Sequence, residues 1–203
     1  MTKEPKPQSQ TLDPKKLVAF RRMTSLPFLC VFITFFLPFL VFSCSTVPGK
    51  SSEATKLASY SAYELAVGIK LSEFGTEKVR RNLETLTKQH PELGEQLKSL
   101  EKPSTPLHVV FLGIALAAIF AWFSPVASFI MGLCSFLSLW IYIEQITILV
   151  DKLGMKAFLF VDAAHGAYAA SMLMIIGLAM NVASVVRGVR LRRQEAKKAK
   201  DGT

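Results

Sequence analysis

Cysteine and histidine are scarce in this chain, three of each, and their scarcity sets the first limits on what it can do. Cys30 and Cys134 lie inside apolar blocks and only Cys44 stands at the edge of one, so no internal disulfide is expected. No nucleotide-binding or metal-ligand motif is present, and a nucleophile and base for an intramembrane enzyme cannot be assembled, so the expectation is a non-enzymatic protein with no cofactor indicated by the sequence. Aromatic residues are missing from the basic ends apart from Phe20, which removes the stacking platform that single-stranded nucleic acid would need. The pI near 9.6 therefore does not point to nucleic acid.

Charge is the other scarcity, and it is local. Nearly all of it lies outside four apolar blocks, Leu26 to Val47, Leu107 to Phe123, Val126 to Val150 and Ala163 to Val186. Each is near the length of about 20 residues that crosses a hydrocarbon core as a helix. Four such blocks leave too little polar surface to cover them in a soluble protein. The expected architecture is all-α: a four-transmembrane-helix bundle with a helical extracytoplasmic loop between spans 1 and 2. The boundaries read as a basic tail at 1–22, span 1 at 23–47, the loop at 48–106, spans at 107–123, 126–150 and 163–186, and a second basic tail at 187–203.

Orientation follows from lysine and arginine near the membrane ends, which cytoplasmic segments retain. The two tails carry net charges of +4 and +5, the whole of the formal +9, so both ends are expected in the cytoplasm. Their role is taken as topology signals and contacts to anionic headgroups of the lipid bilayer. Ser124-Pro125 then makes a tight cytoplasmic turn and Asp151 to Lys156 an outer one. Met1 to Pro14 reads as a disordered lead.

The first block is read as an uncleaved span, since no A-x-A-type cleavage site follows it. Val41-Phe42-Ser43-Cys44 is a lipobox-like end that would acylate Cys44, but Phe42 departs from the small side chain expected there, so lipidation is the minor reading. Pro38 cannot donate to the Thr34 carbonyl, and a bend in span 1 is expected.

Within 48–106, one helix is expected over about 52–71, with Ala58, Ala62, Leu65 and Ile69 on one face, ended by Gly75. A second begins near Thr76. Its apolar positions Val79, Leu83, Leu86, His90, Leu93, Leu97 and Leu100 alternate gaps of four and three, which is a heptad seam, although Pro91 would kink it. Such a seam is expected to dock a protein partner or a second copy, or to pack within the loop.

Ionisable residues in spans are site hypotheses by default. Glu144 precedes the Asp151 to Lys156 turn, and Asp162 and His165 follow it, at comparable distances. They form a candidate intramembrane polar cluster for proton relay or a divalent metal, or else a structural hydrogen-bonded group. Small residues recur every four positions at Gly113, Ala117 and Ala121, and at Ala163, Ala167 and Ser171, as expected where helices approach closely.

Leu37-Pro38-Phe39-Leu40-Val41-Phe42-Ser43-Cys44, followed by Leu57-Ala58-Ser59-Tyr60 and Tyr63-Glu64-Leu65-Ala66-Val67-Gly68, resembles a pattern in uncharacterised bacterial multi-pass membrane proteins. There a first span ending L-P-F/W-x-x-x-S-C leads into a Y-x-L-A-x-G-like stretch. The resemblance implies the bacterial cytoplasmic membrane and no particular activity. A claudin-like tetraspan shares topology alone, because the outer loop here lacks tryptophan and paired cysteines. The functional expectation is an accessory or structural subunit of a larger membrane assembly. The alternative is a small transporter or proton-linked element using Glu144, Asp162 and His165.

Overall fold

Pro38 decides the shape of the first half of the chain. The computed structural model describes residues 14–44, 55–68, 103–152 and 159–201. Helix α1, Pro14–Thr34, begins with proline at its first position, where the missing N–H costs nothing. It stops where Pro38 has no N–H to offer the Thr34 carbonyl; the Leu37 amide takes that acceptor instead, at 3.0 Å. The chain then enters strand β1, Pro38–Cys44. The span expected at 23–47 is thus corrected: its second half is not helix. The run Phe39-Leu40-Val41-Phe42 is aromatic and branched, suited to a half-covered pleated surface, and apolar periodicity alone does not separate such a strand from a buried helix.

β1 is the centre of a three-stranded antiparallel sheet. It pairs with β2, Thr55–Ser61, on one side and with β3, Leu159–Ala163, on the other. Leu40 lies opposite both Tyr60 and Ala163, and Val41 opposite both Ser59 and Asp162. The all-α expectation is therefore corrected to a mainly helical fold with a small sheet. The helix expected over 52–71 is corrected as well, since 55–61 is strand and, among the described residues of that stretch, only α2, Ala62–Val67, is helical. A capping box starts α2: the Ser61 amide donates to Glu64 Oε2 at 2.7 Å and the Glu64 amide to Ser61 Oγ at 3.2 Å. Gly68 ends it at φ 110°, a backbone state that favours glycine. The second expected loop helix, with the seam Val79, Leu83, Leu86, His90, Leu93, Leu97 and Leu100, lies outside the described residues.

Three long helices complete the fold: α3, Thr105–Phe123, α4, Pro125–Lys152, and α5, His165–Asp201. α3 and α4 cover the stretches read as spans 2 and 3. A single residue, Ser124, joins them; its hydroxyl accepts from the Ala127 amide at 3.3 Å. α5 passes without a break through the stretch read as a separate basic tail, and at 37 residues it is about 55 Å long. Among the described residues three helices are long and apolar enough to cross a membrane, Thr105–Phe123, Pro125–Asp151 and His165–Lys197. They are compatible with an integral membrane protein.

Glycines let the helices close on one another. Phe28 of α1 is fully buried and its ring is held between Gly132 of α4 and Gly177 of α5, where an added Cβ would sit 2.9 Å and 2.8 Å from ring atoms. Gly166 does the same for backbone: a Cβ there would lie 2.7 Å from the Pro38 carbonyl oxygen, so only glycine brings the start of α5 onto the joint between α1 and β1. Gly113 faces the Ser135 hydroxyl, and Ala117 and Ala121 continue its buried stripe along α3. Above Phe28, Phe35 packs edge-on against Phe111 at 4.4 Å and against Phe39 at 6.1 Å.

The Phe28 slot makes a paired prediction. Phe28→Ala removes a fully packed ring and lowers unfolding free energy by about 3–5 kcal/mol, and Gly177→Val overpacks the slot at a cost of about 1–3 kcal/mol. Combined, the two cost less than their sum, because valine occupies part of the vacated ring volume. Reversible unfolding in mixed micelles measures all three.

Candidate functional site

The α3–α4 hairpin supplies a depth scale. Because the two helices run antiparallel from Ser124, Tyr142 is brought to the level of Ser104 at the start of α3. Glu144 thus lies at the level where α3 begins, at the sheet end of the bundle, and its side chain is exposed. Asp162 is exposed on β3 opposite Val41, and His165 is exposed as the first residue of α5. No group of three or more His, Cys, Asp or Glu side chains able to hold a metal ion occurs among the described residues, so Glu144, Asp162 and His165 do not form one. His108 is also exposed, with Nδ1 2.8 Å from the Ser104 carbonyl oxygen of its own helix. Cys44 is the last residue of β1, opposite Thr55 and Leu159, so a cleavage before it would sever the central strand. Cys30 and Cys134 are free and exposed.

Polar chemistry inside the bundle lies elsewhere. Asn181 of α5 is fully buried, and its Nδ2 donates to Ser128 Oγ of α4 at 2.8 Å; Ser128 in turn donates to the Ala117 carbonyl of α3 at 2.7 Å. Three helices are thereby tied at one level. The Asn181 Oδ1, Ser184 Oγ and Ser171 Oγ atoms are buried on α5 with no hydrogen-bond partner. Sequence reasoning missed this thread. Its only trace in the sequence is an amide side chain in an otherwise apolar block, and without the neighbouring helices nothing marks Ser128 as its partner.

The chain matches no family model and no curated protein.

A polar–apolar boundary lies at the Ser124 end of the bundle. There Trp122 Nε1 donates to Ser25 Oγ of α1 at 3.1 Å, while Ser25 donates to the Arg22 carbonyl at 2.7 Å. The Arg22 guanidinium stands 6.0 Å from the centroid of the Trp122 ring. On the α1–α5 side the Arg187 guanidinium lies 4.0 Å from the centroid of Phe20. The Thr24 hydroxyl returns to the Arg21 carbonyl at 2.6 Å, so buried hydroxyls in this turn are satisfied within their own helix. Between α1 and α3 runs an open groove of about 450 Å³, walled by Leu29, Phe32, Ile119 and Phe123 over a floor of Ala115 and Ala118. Its chemistry is that of an apolar slot with a cation and an indole at its mouth.

The buried thread has a measurable strength. Asn181→Ala and Ser128→Ala each destabilise the bundle, with a coupling between them of about 0.6 kcal/mol and no more than about 1.7 kcal/mol, the range for hydrogen bonds between membrane helices. The double variant costs less than the sum of the singles because both remove the same bond. A double-mutant cycle on unfolding in micelles reads the coupling directly.

Proposed function

We propose that this chain is a four-span protein of the bacterial cytoplasmic membrane that serves as a non-enzymatic accessory or structural subunit, with α1 as its first span and both basic ends in the cytoplasm. The sheet is then outside, and it is the part offered to a protein partner. One observation carries this reading: β1 is the direct continuation of α1 and pairs with β3, which leads directly into α5. A sheet joined in this way to two spans keeps a fixed position on the bundle, as a docking platform requires.

The depth of α1 fits the role. Its apolar part, Met23 to Thr34, is about 18 Å long, against about 28 Å for α3. The remaining 10 Å or so is supplied by Phe35 to Leu40, whose inward side chains Phe35, Phe39 and Leu40 are fully buried. Arg21 and Arg22 mark the cytoplasmic boundary, where long basic side chains reach the headgroups. The apolar seam between Val79 and Leu100 is the surface, read from sequence, that a partner helix would take.

Two measurements test this. In a variant with Cys30, Cys44 and Cys134 replaced by serine, Lys56→Cys is labelled by a membrane-impermeant maleimide in intact cells, and Lys197→Cys only after lysis. The opposite pattern would overturn the topology. Gentle detergent extraction through a tail tag yields a stoichiometric protein partner, which is lost or reduced severalfold by Leu93→Glu. A lone, monodisperse chain would sink the accessory reading and direct attention to proton flux with Glu144→Gln.

A further inference from the structure

We propose that the groove between α1 and α3 is a binding site for one anionic phospholipid of the leaflet on the basic-tail side, with an acyl chain along the groove and the phosphate at Arg22. The proposal rests on the spanning arrangement above. Its apolar half follows from the groove's shape. From Ser25 to Phe32 it runs about 10 Å along α1, parallel to the direction in which lipid chains lie, and the alanines of its floor leave room that a larger side chain would fill. Its polar half follows from what stands at the mouth. The Trp122 indole is fixed by its hydrogen bond to Ser25, and the exposed Arg22 guanidinium is stationed over that ring. Trp122 and Phe123 themselves are outward-facing, as aromatic residues at a membrane boundary are.

Charge selects the occupant. Lipid tails are as apolar as leucine, so the slot by itself gains little by exchanging one acyl chain for another, and any preference between lipids must come from the headgroup. A single basic side chain near an anionic surface favours the anion about fivefold. A zwitterionic lipid would place its own cation beside Arg22 and lose that preference. Neither α1 nor α3 of a second copy would bring an anion to the mouth, since these two helices carry no acidic residue.

The molecule contains its own reporter, because Trp122 lines the groove and the other tryptophan, Trp140, is on α4. The test uses two single-tryptophan proteins, Trp140→Phe and Trp122→Phe, reconstituted in phosphatidylcholine vesicles. A fifth of the lipid is replaced by dibrominated phosphatidylglycerol or dibrominated phosphatidylcholine, the bromines quenching any indole they touch. The expected result is quenching of Trp122 with about fivefold preference for phosphatidylglycerol, abolished by Arg22→Gln and retained by Arg22→Lys, while Trp140 is quenched by both lipids alike. Ala115→Leu, which narrows the floor at a distance from the charge, lowers quenching of Trp122 by either lipid.

Equal quenching of Trp122 by both lipids, or a preference that survives Arg22→Gln, overturns the site while quenching of Trp140 leaves the spanning arrangement standing. Trp122 shielded from both lipids while Trp140 is quenched also overturns it, in favour of a protein occupant. If neither tryptophan is quenched, the spanning arrangement itself fails and the lipid site with it.

Discussion

A backbone that leaves a helix among packed apolar side chains must find new partners for its amides and carbonyls, because those surroundings offer none. That constraint acts here at Pro38, and the arrangement of the sheet end follows from it. The proline ends α1 before its apolar run is finished, so the residues that follow are apolar but no longer helical. β1 meets the requirement by pairing on both sides, with β2 and with β3. Gly166 is part of the same solution, since the start of α5 lies against the carbonyls of Thr34, Leu37 and Pro38 closely enough to exclude any Cβ. The Tyr63 amide donating to the Phe35 carbonyl, and the Ala164 amide to that of Phe39, use up further acceptors in the same joint.

Packing below that joint is of a different kind. Between apolar helices in lipid there is no solvent to drive association, so close contact and a few interhelical hydrogen bonds decide which faces meet. Phe28 fits a recess made by two glycines on two other helices, and Asn181 with Ser128 ties three helices at one level. Both are specific arrangements rather than general apolar burial, and both depend on residues that would be unremarked in a soluble core. Phe28 gains contact on both faces of its ring only because neither α4 nor α5 has a side chain there.

Much of the helical frame is legible from the sequence. The blocks at 107–123 and 126–150 become α3 and α4, and of the small residues at every fourth position along α3, Gly113 and Ala117 meet α4. The sheet was not legible, for a physical reason. Residues 38–42 are apolar at every position, a pattern shared by a buried central strand and a buried helix, and β3 is only five residues long, too short to announce itself. Ala62 and Leu65 share the buried face expected of them in α2, yet the helix is shorter than expected at its start because 55–61 is strand and Ser61 is the cap. Of the candidate sites, the trio Glu144, Asp162 and His165 is grouped by distance from a turn, which fixes depth but not direction; all three side chains are exposed. The groove is invisible in one dimension: Leu29 and Ala118 become neighbours only when α1 is known to lie beside α3.

The pairing of β1 with β3 also sets a schedule for making the protein. β3 follows β1 by more than half the length of the chain. At ribosomal speeds of about 5–20 residues per second, β1 is in place for roughly 6–23 s before its second neighbour exists. Once β2 has paired, a nascent molecule carries one satisfied strand edge and one open edge, and only β3 closes it. A chain that stops before β3 therefore keeps an open edge on its central strand, the kind of edge that pairs with other chains.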